Sequence, residues 1–283
     1  MNGKRVLITG ATDGIGKQAA LAIAGMGAAV TLVGRNQTKT RAVCEELQKQ
    51  TGSEAIDWLL GDLSSMVEIR RVADEFRHRH NNLDVLLNNA GAIFSEYQQS
   101  ADGFEMTFAL NHLSYYLLTN LLLDMLRETA AAKGEARIIN VSSSAHRNGT
   151  MRLDNLREAS SFSMMNSYGA SKLMNVLFTY EMARRLEDTD ITVNAVHPGV
   201  VRTRFGHDTS RIWSALVKLF QTFALSPEKG AQTLIYLATS PDAGGISGKY
   251  WNQKQQKRSS QSSYDREQQR ALWQYSAEVT GVG

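Results

Sequence analysis

The chain has 283 residues, with 31 Lys and Arg against 28 Asp and Glu, for a net charge of +3. That length can bury the core of one large α/β domain, and a near balance of charge with neither basic stripe nor acidic tail excludes an obvious nucleic-acid partner and favours small-molecule ligands. A single cysteine, Cys44, excludes an intrachain disulfide and argues for a reducing compartment.

Met1 to Lys4 lead directly into Arg5-Val6-Leu7-Ile8-Thr9, so the expectation is a cytoplasmic protein with no signal peptide and no transmembrane anchor. Short apolar runs at 6–9, 29–33, 56–60, 85–88, 137–142, 192–196 and, weakly, 248–250 read as strands. Between them, helical periodicity falls near 15–26, 38–50, 66–79, 103–128, 168–186 and 228–239. Such alternation predicts an α/β fold, a doubly wound parallel sheet of Rossmann type with helices on both faces, formed by one domain over 1–283. The longest apolar stretch, 113–126, is interrupted by Ser114, Thr119, Asn120 and Asp124 and falls short of the about 20 residues of a bilayer span, so it reads as a buried helix.

Three stretches are extra to that core. Residues 145–167 and 200–226 read as substrate-side insertions, and 252–283 as a C-terminal extension in which a polar tract precedes a helix from 264 to 279 ended by Gly281. In the first, Met151, Leu153, Leu156, Phe162, Met164 and Met165 either line an apolar cleft or cover the protein's own core. In the second, Ile212, Leu216, Leu219, Phe220 and Phe223 share a helical face that suits a lid, a core helix or, with Trp213, a membrane-docking surface.

Gly10-Ala11-Thr12-Asp13-Gly14-Ile15-Gly16 follows the first strand and opens the first helix. Glycines there allow a tight turn and the approach of a pyrophosphate to the helix N-terminus, although the G-x-x-x-G-x-G spacing differs from the common G-x-G-x-x-G and a plain turn is the competing reading. The second strand ends in Gly34-Arg35-Asn36, with no acid to hold a ribose 2′-hydroxyl or repel a 2′-phosphate. A guanidinium at that place favours NADP(H), and otherwise Arg35 is a solvated loop charge. Farther on, Tyr168 and Lys172 stand four apart, on one face of a helix, where an ammonium can acidify a phenol that otherwise titrates near 10.

With Asn88-Asn89-Ala90-Gly91, Asn111, Asn140-Val141-Ser142-Ser143 and His197-Pro198-Gly199 in this order, the chain resembles the short-chain dehydrogenase/reductase family over nearly its whole length. Leu110-Asn111-His112-Leu113, the long gap before Tyr168 and the ending Gly248-Lys249-Tyr250 with Leu272-Trp273 resemble the retinol dehydrogenase branch. The resemblance implies that Asp62 and Leu63 contact adenine, that Asn89, Ala90 and Gly91 pack against the adenosine ribose, and that Pro198, Gly199, Val200 and Thr203 flank the nicotinamide. It implies Tyr168 as the proton donor, Ser143 as the group polarising the substrate oxygen, Lys172 as the tuner of Tyr168 and holder of the nicotinamide ribose, and Asn111 as the residue positioning a relay water.

The expected activity is NADP-dependent hydride transfer to or from a hydrophobic carbonyl or alcohol; the alternative is a non-catalytic NADP-binding sensor. His112, His146, His197 and His207 are scattered, and no metal site is expected. The oligomeric expectation is a monomer or homodimer.

Overall fold

The computed structural model describes residues 1–154, 156–199 and 225–283. Its first half alternates β1 (Arg5–Thr9), α1 (Gly14–Gly25), β2 (Ala29–Gly34), α2 (Gln37–Thr51), β3 (Ile56–Leu60), α3 (Met66–Arg79) and β4 (Val85–Asn88). One helical turn α4 (Met106–Phe108) then enters a π turn at Ala109–Leu113, followed by α5 (Ser114–Leu121), α6 (Leu123–Lys133) and β5 (Ala136–Val141). The remaining described elements are α7 (Met164–Arg185), β6 (Ile191–His197), α8 (Pro227–Thr239), β7 (Lys249–Asn252), β8 (Gln255–Lys257) and α9 (Arg266–Thr280).

The strands form one sheet in the order β3-β2-β1-β4-β5-β6-β7-β8, parallel except for β8. Strand alternation divides the core: Val6 and Ile8 face one side with residues of α1, α2 and α8, whereas Leu7 faces the other with residues of α3, α5, α7 and α9. The chain first steps outward from β1 to β3, and α3 then carries it back to β4 on the far side of β1. That reversal opens a crevice at the carboxyl ends of β1 and β4, the place where doubly wound sheets bind ligands.

Two elements differ from the expected ones. The helix expected over 103–128 is divided by the π turn and by a break at Leu122, whose φ and ψ are −102° and 4°. Polar side chains interfere there: Ser114 Oγ donates to Leu110 O at 2.6 Å and Asn120 Nδ2 to Tyr116 O at 2.8 Å, competing with the backbone ladder. The polar tract after 252 contains the antiparallel strand β8, reached through Gln253 and Lys254 at φ 52° and 59°, the left-handed pair of a tight hairpin. All three residues of β8 are exposed, so no hydrophobic alternation marked it.

The C-terminal helix starts two residues later than expected, because Asp265 caps it by accepting from Glu267 and Gln268 amides at 2.9 and 3.2 Å. Gly281 ends it in the left-handed conformation, φ 66°. This helix packs on the core: Trp273 lies 5.1 Å from the Tyr116 ring and 6.0 Å from that of Phe178, with the Arg185 guanidinium 4.1 Å from its own ring. Among the described residues, no helix is long and apolar enough to cross a membrane.

Candidate active site

The Gly-rich turn occupies the mouth of the crevice. Gly10 and Gly14 have φ of 63° and 50°, and a Cβ at Gly10 would stand 2.8 Å from Ala90 Cα. At Gly16 a Cβ would collide with Gly10 O and Asn89 Nδ2. Asn89 pins this turn: its Nδ2 donates to Thr9 O at 2.9 Å and to Gly10 O at 3.1 Å. Thr9 Oγ1 in turn accepts from the amides of Asn89 and Ala90 at 2.9 and 3.0 Å. Thus Asn89 and Ala90 shape the glycine turn from below, a role that neither residue's position in sequence disclosed.

Asp13 caps α1, accepting from the Gly14 amide at 2.8 Å and from Lys39 Nζ at 2.7 Å. The next two amides, of Ile15 and Gly16, lie in the first turn, where a helix has no internal acceptors for them and its dipole favours an anion. Gly34 meets Thr12 and Thr40 so closely that a side chain would clash with both. Beyond it Arg35 is exposed and without a partner among the described residues, and Asn36 caps α2 by accepting from the Lys39 amide at 2.9 Å. Asp62 folds back on Ser64, accepting from its amide at 3.0 Å, and Leu63 is buried in the core. The tight glycines, the open helix terminus and the free guanidinium fit a phosphate-bearing dinucleotide.

The crevice floor brings together Gly91, Asn111, Ser143, Tyr168 and Lys172. A Cβ on Gly91 would lie 3.0 Å from Asn111 Oδ1 and 3.4 Å from Lys172 Nζ. The Ser143 hydroxyl stands beside the Tyr168 phenol and accepts from the Ala145 amide at 3.2 Å. Its neighbour Ser142 turns the other way and donates to Lys172 O at 2.7 Å, fastening β5 to α7. Lys172 Nζ donates to Val141 O at 3.3 Å and lies 5.6 Å from the Tyr168 ring centre and 5.9 Å from that of Tyr115.

Burial governs the charges here. It brings the Lys172 ammonium down to about 7 and pushes the Tyr168 phenol upward, the Ser143 hydroxyl pulling the other way. In the cofactor-free protein burial thus outweighs the acidifying effect expected of Lys172 on Tyr168. A ligand that raised the charge on Lys172 would restore that effect.

Asn111 uses its side chain internally. Nδ2 donates to Ala92 O at 2.9 Å and Ser171 Oγ at 3.1 Å, while Oδ1 accepts from the Ala92 amide at 2.8 Å. Its carbonyl accepts from Asn175 Nδ2 at 2.9 Å, and the second proton of that amide goes to Val141 O at 3.1 Å. With both Asn175 protons assigned, Asn175 Oδ1 must accept from His112 Nδ1 (3.2 Å), which leaves His112 Nε2 to accept from Ser276 Oγ at 3.4 Å. A chain of hydrogen bonds thereby joins α9 to the carbonyl that holds Lys172. Asn175 escaped sequence reasoning because it lies within an apolar helical run; its spacing, one turn after Lys172, was the available signal.

His112, His146 and His197 are structural. Burial lowers His112 and His197 to about 4 and lowers His146 as well, so all three stay neutral in the fold. His146 donates from Nδ1 to Ser143 O at 2.6 Å and accepts from the Ser260 amide at 3.0 Å, and His197 Nδ1 accepts from the Ser144 amide at 3.2 Å. No cluster among the described residues could hold a metal ion. Pro198 and Gly199 follow β6 at the crevice, Gly199 at φ 89° against Leu225. Val200, Thr203 and His207, with the apolar face expected over 212–223, lie outside the described residues.

In the 145–167 insertion, Met151, Leu153 and Leu156 pack against Phe104, Phe108, Leu173 and Met174 and so cover core. Phe162 and Leu156 also line a cavity of about 320 Å³ beside Ala170 and Ser171, with Arg152 and Asn166 among its polar walls. A larger cavity, about 690 Å³, opens at the amino ends of β5 and β6, away from the glycine turn and from Asn111, Ser143, Tyr168 and Lys172.

Residues 4–211 match the family model described as short chain dehydrogenase. Retinol dehydrogenase 13 of Homo sapiens is 38% identical over 286 residues, covering 99% of this chain and 85% of that protein. Human polyprenol dehydrogenase is 37% identical over 283 residues, 98% of this chain and 84% of its own. Among solved structures, an uncharacterized protein from Mycobacterium paratuberculosis matches with a TM-score of 0.80 at 29% identity, over 99% of this chain and 94% of that one. The Pseudomonas aeruginosa RhlG/NADP active-site complex matches with a TM-score of 0.71 at 25% identity, over 88% and 94%.

Proposed function

This chain belongs to the short chain dehydrogenase family and is an oxidoreductase of alcohols and carbonyls, and from that premise we propose that it uses NADP(H) on a hydrophobic substrate through Ser143, Tyr168 and Lys172. The observation that carries the reading is the convergence of Ser143 and Tyr168 with Lys172 Nζ, 5.6 Å from the Tyr168 ring centre, at the foot of a glycine cradle.

When bound, the nicotinamide supplies the hydride. Ser143 donates a hydrogen bond to the substrate oxygen and so stabilises the negative charge that develops there. Tyr168 gives its phenolic proton to that oxygen as the carbon accepts hydride, and takes one back in the oxidative direction. Lys172 holds the ribose and, once protonated, stabilises the phenolate. Gly10, Thr12, Gly14, Ile15 and Gly16 hold the pyrophosphate. Asp62 and Leu63 border the adenine, and Pro198 and Gly199 the nicotinamide.

Preference for the 2′-phosphate rests on Arg35, exposed and unpaired among the described residues. A hydrophobic substrate is supported by relatives named for retinol and polyprenol and by the apolar wall of Phe108, Leu156, Phe162 and Met174. Cys44, buried and unpaired, suits a cytoplasmic location.

The test is NADPH oxidation over a panel of hydrophobic aldehydes and ketones, with wild type and Tyr168→Phe. Removing the acid is expected to lower kcat by at least about 100-fold while NADPH binding persists; equal rates in the two proteins would refute the mechanism. Tight NADPH binding without turnover in wild type would favour the sensor reading instead.

A further inference from the structure

Tyr115 is 1% exposed, and its hydroxyl has no hydrogen-bond partner among the described residues. Its neighbour Tyr116 shows how the fold treats a structural tyrosine: that hydroxyl donates to Val282 O at 3.0 Å. Phenylalanine would fill the same space at Tyr115 without stranding a donor, so the hydroxyl requires a reason.

Its place supplies one. Tyr115 stands one helical turn after Asn111 and packs in the same cluster as Ala90 and Leu63. Lys172 Nζ lies between two phenols, 5.9 Å from the Tyr115 ring centre and 5.6 Å from that of Tyr168. Asn111 has no side-chain donor left for this spot, because Ala92 O and Ser171 Oγ take both protons of its amide.

We propose that the Tyr115 hydroxyl is a fixed hydrogen-bond donor to the hydroxylic oxygen bound beside Lys172 during the reaction. That oxygen belongs either to the nicotinamide ribose or to a water supplying protons to Lys172. The inference rests on the oxidoreductase reading above. In carbonyl reduction Tyr168 passes one proton to the substrate oxygen and becomes a phenolate, and the replacement proton arrives from solvent by way of Lys172. Tyr115 keeps its own proton throughout, since burial and the nearby Tyr168 push its phenol well above the usual range. It orients the oxygen and does not act as acid or base.

Tyr115→Phe deletes the hydroxyl alone. In the cofactor-free protein the melting temperature is expected to be unchanged or higher, because an unsatisfied buried donor is removed. With NADPH and a hydrophobic carbonyl, either kcat or NADPH affinity is expected to fall at least about tenfold. Weakened NADPH binding assigns the oxygen to the ribose; unchanged binding with a lower kcat and a larger solvent deuterium isotope effect assigns it to water.

The inference is overturned if kcat, isotope effect and affinity all stay within about twofold of wild type. It is equally overturned if the cofactor-free melting temperature drops by more than about 3 °C, which would make the hydroxyl structural. A wild-type protein that neither binds NADPH nor turns over any carbonyl removes the functional reading and this inference together. Binding without turnover removes the catalytic reading alone and leaves the affinity comparison to decide the ribose contact.

Discussion

Among the described residues, Lys172 is a buried ammonium whose hydrogen-bond partner is a single carbonyl, and that arrangement has a measurable consequence for stability. Its folded value is about 7 against an ordinary 10.5, so between those limits the unfolded chain binds more protons than the folded one. Stability from this group therefore rises with pH across that window and is flat below it. Lys172→Met is expected to melt above wild type near pH 7, with the difference shrinking as pH approaches 10.5; a pH-independent difference in thermal scans would contradict a neutralised lysine. Arg35 offers a second residue-scale test. Arg35→Ala is expected to weaken NADPH binding about tenfold and leave NADH binding unchanged, as follows from losing charge-assisted contacts to one phosphate; equal losses for both cofactors in a titration would remove the 2′-phosphate assignment.

At the scale of elements, the π turn and α9 are joined through Asn175 and His112. Asn175→Leu keeps the number of side-chain heavy atoms but orphans Asn111 O and leaves Val141 O with Lys172 Nζ as its side-chain donor, so a loss of about 1–3 kcal/mol in denaturant unfolding is expected, with faster amide exchange across 109–113. Exchange confined to wild-type rates there would show that the turn does not depend on Asn175. Trp273→Ala is expected to cost about 3–5 kcal/mol, because the indole fills the space between Tyr116, Phe178 and Arg185; a loss below about 1 kcal/mol would mean that α9 is only loosely attached. Neither element was fully legible in sequence. Helical periodicity located α9 because Leu272, Trp273 and Ser276 recur on one face, but nothing in a polar cap region names the partner that the face covers. The π turn left no trace, because Ala109–Leu113 keeps the periodicity of an ordinary helix and the side-chain bond that competes with its ladder, from Ser114 Oγ to Leu110 O, has no mark in the sequence.

For the molecule as a whole, the alternation of strands and helices was readable because the central runs, β1, β2, β4, β5 and β6, are buried on both faces, as a parallel sheet demands. The strand order was not, since the reversal between β1 and β4 depends on a crossover that leaves no local mark. Site residues were readable where backbone geometry limits the choice, as at Gly10 and Gly16, or where chemistry does, as at Tyr168 and Lys172. Tyr115 and Asn175 were hidden because burial, which gives them their meaning, is a property of the assembled fold. Burial of neutral histidines also sets the acid limit. His112 and His197 fall to about 4 from 6.5, and the unfolded chain takes up the protons in between, so stability is lost as pH drops through that interval. Unfolding midpoints should decline across it, and His112→Gln should flatten the slope; an unchanged slope would place the acid lability elsewhere.

The most direct measurement follows the hydride itself. Wild-type protein is incubated with NADPH carrying deuterium at the transferable C4 position and a hydrophobic ketone, and the alcohol formed is examined by mass spectrometry. Deuterium is expected on the carbinol carbon with wild type, and the yield of labelled alcohol is expected to fall at least about 100-fold with Tyr168→Phe. An unlabelled alcohol from wild type, or NADPH that stays bound while no alcohol forms, would contradict hydride transfer at this site.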